Sequence, residues 1–442
     1  MYNSILSYKP IIKRLLTLKM VLLTVYNVID YYYIIKSKIF QGFNIYILLI
    51  GGKYMLLIKN GNIITMTNKD YKKGSVLISN GKIIEVAGNI KETDDMEIID
   101  AKGLMVFPGI IDAHTHIGID EQDIGKVGLD INEMSNPITP ELRAIDAINP
   151  MDSAFRDAVM GGITSVMTGP GSANVIGGQF VFMKTYGKCV DDMVLLNPSA
   201  VKAALGENPK RVYGNKGKSP VTRMATAALL RQTLLEAQNY SNKKIKAEEK
   251  EESFEKNLKM EALVPVIEGK MPLKIHAHRA DDILTAIRIA KEFKIKITLD
   301  HCTEGHLIGE KIKESGFPVL VGPSLTSRSK NEVANKTFKT PRVLSELGIK
   351  TAIITDHPVV PIQYLPLCAG LSVREGMDKR EALKAITINA AEICNVADRV
   401  GSIEVGKDAD IAIFDGNPME VFTKTIYTII EGNVVYENKD ID

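Results

Sequence analysis

The chain has 442 residues, 45% hydrophobic and 24% charged, with a formal net charge of +2. That length is enough to bury a large core and exceeds one typical domain. The near-neutral balance excludes nucleic acid or an anionic membrane as a partner implied by bulk charge, and four cysteines with no Cys-x-x-Cys pair fit a reducing cytoplasm and exclude a thiolate-type structural zinc site.

Residues 1–54 are an atypical extension. The first 50 carry one acidic residue, Asp30, against six basic ones, and hold 7 of the 15 tyrosines. The apolar run from Leu15 to Ile29 contains Lys19 and falls short of the roughly 20 residues a membrane span needs. No small-residue cleavage site follows it. Domain-like sequence begins at Met55, and the expectation is a mis-assigned start, with translation beginning there; a membrane-associating leader is the alternative.

From Met55 the pattern is strand-like. Asn60-Gly61 and Asn80-Gly81 are both hairpin signals. Short strands return at the other end of the chain, in Asp410–Asp415 and in a hairpin turning at Glu431-Gly432-Asn433. The spacing predicts a small β-sandwich built from both ends, residues 55–104 and 400–442.

Residues 105–399 alternate apolar strands with helical stretches, the signature of a parallel α/β fold. The run Phe107-Pro108-Gly109-Ile110-Ile111-Asp112-Ala113-His114-Thr115-His116 ends in two histidines one residue apart. Side chains at i and i+2 of a strand share a face, so His114 and His116 can converge on one metal ion. A helix is expected over Asp152–Met160 and a strand over Gly162–Met167. The loop Gly169–Gln179 is glycine-rich without a phosphate-binding pattern, and reads as substrate-lining through Asn174. Strands are expected at Met193–Leu196 and Ala200–Leu205, and a helix over Thr222–Gln238. Asn242–Asn257 reads as a solvated charged insert. Leu273–His276, Ile295–His301, Pro318–Val321 and Thr351–Thr355 read as strands, Ile283–Phe293 as a helix and Ala382–Cys394 as a closing helix. One βα unit takes about 30 residues. By that measure His276 and His301 stand one unit apart, His301 and Asp356 two, and His116 and His276 four plus the insert. The polar clusters then fall at the ends of strands 1, 5, 6 and 8 of an eight-stranded (β/α)8 barrel, the face where such barrels place their sites.

The Pro-Gly-Ile-Ile-Asp-Ala-His-Thr-His run, followed by His276, His301 and Asp356, resembles the amidohydrolase superfamily of metal-dependent hydrolases, most closely its imidazolonepropionase-like branch. Gly401–Asp410 is similar to the superfamily's return into the small β domain, and the resemblance spans about Met55 to Lys439. It implies one or two divalent ions, zinc foremost with iron or manganese as alternatives, and hydrolysis of an amide, cyclic amide or peptide-like bond. The ligands it implies are His114, His116, His276, His301 and Asp356, with Asp356 also handling the proton of the attacking water. At the fourth strand it implies either Glu207, which stands at the strand end, or Lys202 carboxylated on its side chain; Glu207 is preferred. His278 shares a face with His276, and either His278 or His301, if free of metal, can bond the oxyanion. Arg223 and Arg279, with Arg211, are candidate partners of a substrate carboxylate, and Tyr213 is a candidate substrate contact. His357 is expected to be structural and His306 to lie at the surface. No acid follows His276 until Asp281, which disfavours the alternative of a heterocycle deaminase and favours linear amides. A non-catalytic assembly protein is a further alternative, at odds with the intact ligand set. The expected partner is a small-molecule substrate in the cytoplasm, with no nucleic acid and no membrane for the core, and with homo-oligomerisation left open.

Overall fold

The structure is a computed structural model and describes residues 55–439. No helix among the described residues is long and apolar enough to cross a membrane. Sixteen strands divide into two sheets of eight.

The first sheet joins both ends of the chain. It contains β1 (Met55–Ile63), β2 (Tyr71–Ser79), β3 (Lys82–Ala87), β4 (Met96–Asp100), β5 (Met105–Pro108), β14 (Ile411–Phe414), β15 (Thr425–Ile430) and β16 (Asn433–Glu437), in the order β16-β15-β14-β5-β1-β2-β3 with β4 paired to β1. Both faces bury apolar side chains: Leu56, Ile58, Val76 and Ile78 on one, Leu57, Leu77 and Ile90 on the other. Of the two Asn-Gly pairs only the second turns a hairpin. Asn80 and Gly81 both have positive φ, 50° and 75°, as a type I′ turn requires. Asn60 alone is left-handed in the first pair, so β1 runs on through a bulge. The sheet also takes Met105–Pro108, which pairs with β1 and β14, so the passage to the barrel falls at Gly109 and not before residue 105.

The second sheet is the barrel: β6 (Ile110–Thr115), β7 (Ile163–Thr168), β8 (Ile176–Lys184), β9 (Val194–Ala204), β10 (Leu273–Ala277), β11 (Ile297–His301), β12 (Val319–Val321) and β13 (Thr351–Ile353), in sequence order. Its seam nearly closes through the Asp356 N–H to His114 carbonyl bond, 3.2 Å, and the His116 N–H to His357 carbonyl bond, 2.8 Å. Seven of the eight strands overlap expected ones in order, and β8 was not expected. β8 runs antiparallel to both neighbours and follows β7 without a helix. Its first half, Ile176–Gln179, reads as loop in sequence because all nine residues are buried, which erases the alternation that marks a half-exposed strand. Two strands expected around Pro198 are one, β9.

The helices also differ in places. Arg223–Glu249 runs 27 residues, so the first half of the charged insert is a continuation of the helix; Lys and Glu favour helix without needing an apolar face. The closing helix is two, Lys379–Ala385 and Ile388–Ile393. The helix over Ser153–Met160 starts as expected, capped by Asp152 accepting from the Ala154 N–H. Leu230, Leu234, Ile283 and Ile287 of the outer helices pack on Val201, Ala203, Ile275 and Leu299 of the strands.

Candidate active site

Those outward residues fix what points inward. On β9 and β10 the alternation leaves Lys202, Lys274 and His276 facing the barrel interior, and on β6 Asp112 and His114. All five are at most 3% exposed. Register places Lys202 beside Lys274, and His276 beside Asp300 of β11. Alternation alone would send His301 away from the site, because Asp300 already faces inward. His301 instead has φ +71°, and that left-handed residue ends β11 and returns the ring to the cluster. Asp356, just past β13, has φ +55°. Such conformations cost about 1–3 kcal/mol each and collect at functional sites.

The imidazoles are held by their far nitrogens. His114 Nδ1 bonds Asp300 Oδ2 at 2.6 Å, His116 Nδ1 the Gly169 carbonyl at 2.7 Å, His301 Nδ1 the Gly322 carbonyl at 2.8 Å and His278 Nδ1 the Thr303 hydroxyl at 2.7 Å. A carboxylate or carbonyl partner makes Nδ1 the protonated nitrogen, so the Nε2 lone pairs of His114, His116 and His301 are the free ones. Burial, joined by neighbouring Lys202 and Lys274, holds His114 well below the usual histidine range; burial and the adjacent rings do the same for His278 and His301. Neutral imidazole is the form that binds metal. His276 differs: its Nε2 faces Glu332 and Asn208, while its Nδ1 is buried with no hydrogen-bond partner.

Two sets of potential ligand atoms, His276 with His278 and His301, and His114 with His301 and Asp356, each lie within 4.8 Å of one another. They share His301. Asp356 Oδ1 is 3.1 Å from His116 Nε2 and 3.4 Å from His114 Nε2. Lys202 Nζ is 3.2 Å from His114 Nε2, and burial pushes its amine down to about 8. Glu207 opens the helix Glu207–Gly214 and meets the site through its backbone N–H, which donates to Glu332. The strand-4 residue in the histidine cluster is therefore Lys202, not Glu207: Lys202 lies within the strand, where alternation turns it inward, and Glu207 lies beyond it.

A cavity of about 380 Å³ opens onto the cluster, lined by His116, His276, His278 and Asp356 and by Asn208, Arg211, Lys330 and Lys336. Of the residues expected to contact substrate, Arg211 lines it, and Asn174, Tyr213, Arg223 and Arg279 do not. Asn174 and Tyr213 bond each other at 2.5 Å, and Asn174 also holds the Glu133 carbonyl and the Thr139 hydroxyl. Arg223 is paired with Asp282 and Arg279 with Asp281. Gly171 and Ser172 of the same loop do reach the cavity. His357 is fully buried, its Nδ1 accepting from the Ile362 N–H. His306 is half-buried against Thr340 and not a free surface residue.

Sequence reasoning missed Glu332. It sits in the loop after β12, 1% exposed, with Oε1 at 3.4 Å from His276 Nε2 and 3.7 Å from His278 Nε2. Although burial opposes it, the His276 hydrogen bond and the nearby Lys330 ammonium hold its carboxyl far below the ordinary range. The tertiary structure thus brings to His276 an acid that the residues after His276 lack. Asp300 was also missed, although its place one residue before His301 on a buried strand is a signal that could have found it.

The comparisons agree with this geometry. Residues 105–436 match the Amidohydrolase family. A solved amidohydrolase from Thermotoga maritima is 41% identical, with a TM-score of 0.84, covering 87% of this chain and all of that one. The chain belongs to the amidohydrolase family. Among curated relatives, Amidohydrolase tasK of Hapsidospora irregularis is 28% identical over 83% of this chain. The chain spans 40% of that longer protein's length. An imidazolonepropionase of Fusobacterium nucleatum is 26% identical over 82% of this chain and 89% of its own. This amidohydrolase is thus a hydrolase of its superfamily, and its histidine clusters have the composition of a divalent-metal site.

Proposed function

We propose that the protein hydrolyses the C–N bond of an acyclic, peptide-like amide that carries a carboxylate, at a site holding one or two divalent ions, zinc foremost. The observation that carries the reading is the unpartnered Nδ1 of His276, buried among histidines whose Nδ1 atoms are otherwise all bonded. A buried imidazole nitrogen without a partner costs about 1–3 kcal/mol, and a metal ion removes that cost. His114, His116, His276, His301 and Asp356 would hold the ions. Lys202, buried and with a weakened hold on its proton, would be a further ligand once its amine has taken up carbon dioxide as a carbamate. A bound divalent ion supplies a water acidic near pH 7 and polarises the carbonyl under attack.

The chain's own groups do the rest. Asp356, half-buried and lining the cavity, accepts the water's proton and returns it to the leaving nitrogen. His278, with Nδ1 tied to Thr303, presents Nε2 at the cavity wall and donates to the developing oxyanion when that nitrogen carries a proton. Arg211 lines the cavity and makes no ion pair with an acid among the described residues, bonding Asn208 Oδ1 at 3.4 Å, so its guanidinium is suited to a substrate carboxylate.

The test is elemental analysis of the purified protein, followed by a panel of N-acyl amino acids and dipeptides assayed beside their C-terminal amides. Bound zinc, iron or manganese and turnover of the free acids over the amides are expected. A protein without metal, as purified and after incubation with each ion, would sink the proposal.

A further inference from the structure

We infer that Glu332 is a positioning residue that sets the tautomer of His276, holding its Nε2–H so that the Nδ1 lone pair is the one offered to the metal. The inference rests on the metal site proposed above. Every other imidazole in the cluster is oriented through Nδ1, by Asp300, Gly169, Gly322 or Thr303. In this cluster His276 alone is held at Nε2, 3.4 Å from Glu332 Oε1, with no partner at Nδ1. The two facts are complementary. A carboxylate at Nε2 selects the Nε2–H form, and that form leaves Nδ1 as a bare lone pair.

Glu332 is arranged for this work and not for proton transfer to substrate. It does not line the cavity, whereas its neighbour Lys330 does. Oε1 also takes Lys330 Nζ at 2.5 Å, and Oε2 takes the Glu207 N–H at 3.0 Å. Both oxygens are therefore engaged, and neither has a face toward a substrate. The carboxylate is held against Gly206 at the end of β9. Gly206 has φ +83°, and a Cβ built there would stand 2.9 Å from Glu332 Oε2. A side chain at 206 would displace the carboxylate. Strand 4, the loop after strand 7 and the strand-5 histidine are thereby tied together through one buried acid.

The experiment uses the full chain and two variants, Glu332→Ala and Glu332→Gln. Zinc affinity of the metal-free protein is measured by competition with a chromophoric chelator. The ring tautomers are read by long-range 1H–15N correlation on histidine-labelled protein, where 7 histidines keep the spectrum resolvable. Oriented second partners are worth about 10–100-fold in metal affinity. Glu332→Ala is expected to lose about 100-fold, with His276 shifting from the Nε2–H form to a mixture. Glu332→Gln keeps the volume but leaves one acceptor oxygen for three donors, and is expected to lose about 10-fold. If Glu332→Ala does not fold, Glu332→Gln decides. Variants with native circular dichroism, unchanged zinc affinity and an unchanged His276 tautomer would overturn the inference while leaving the metal site intact. A wild-type protein that binds none of zinc, iron or manganese would instead overturn the proposed function.

Discussion

Asp300→Asn is the sharpest probe of the barrel interior. Asp300 is fully buried, and its Oδ2 sits 2.6 Å from His114 Nδ1 and 3.1 Å from Lys274 Nζ, while Oδ1 accepts from Thr298 at 2.6 Å. Lys274 is 1% exposed, and its one other polar contact is the Ala113 carbonyl at 3.2 Å. Asparagine can still accept from His114 but removes the only anion paired with Lys274 among the described residues. Breaking a buried pair from one side costs about 3–5 kcal/mol, because it strands the other charge. The weaker hold on His114 lowers zinc affinity about 10–100-fold, which at saturating metal takes away about 1.4–2.7 kcal/mol more. The two effects separate experimentally. Urea unfolding of the metal-free protein, followed by circular dichroism and tyrosine fluorescence in a chain with 15 tyrosines and no tryptophan, reports the first. Repeating it with excess zinc reports the sum. The double variant Lys274→Met/Asp300→Asn should recover at least half of the metal-free loss and none of the zinc affinity. A metal-free loss under about 1 kcal/mol, or a double variant no more stable than the single, would refute the account of a stranded lysine.

Three further outcomes follow from the same structure. Asp408, held down to about 2 against the opposition of burial by Arg399, Lys184 and Lys82, is ionised more readily folded than unfolded. It therefore contributes about 2 kcal/mol that is present above pH 4 and lost as pH falls toward 2; acid titration of stability should show this slope in the wild type and not in Asp408→Asn. Lys202→Arg keeps a buried cation but cannot be carboxylated, so metal content by elemental analysis should fall by one ion per chain if the wild type holds two. Arg211→Met should raise KM for the carboxylate substrate about 10-fold or more, the value of a charged hydrogen bond, and leave KM for its C-terminal amide unchanged.

How legible the site was depended on where each residue lies along its strand. His114, His116 and His276 sit where simple alternation turns them inward, and the repeat length of the βα unit gave the strand order that brings them near Asp356. Glu207 was preferred over Lys202 because it stands past the strand end, yet the inward face of β9 belongs to Lys202. His301 was correctly placed on strand 6, but its inward direction depends on a left-handed φ that no alternation rule supplies. Arg223, Arg279 and Tyr213, singled out as substrate contacts, carried the right chemistry, but their polar ends are taken by Asp282, Asp281 and Asn174, pairings invisible without coordinates; Arg211, singled out with them, does line the cavity. The antiparallel β8 was hidden by complete burial.

The sequence by itself determined the repeat of strands and helices, the return of the chain to the sheet in which it began and the histidine pair at the end of the first barrel strand. These rest on local periodicity and on spacing, which the order of residues carries directly. Tertiary structure alone decided which nitrogen of each histidine is free, which strand-4 residue enters the site and which acid stands behind His276. Those choices depend on partners far apart in the chain, Asp300 for His114 and Glu332 for His276, and a hydrogen bond across a barrel leaves no periodic trace in the residues that make it.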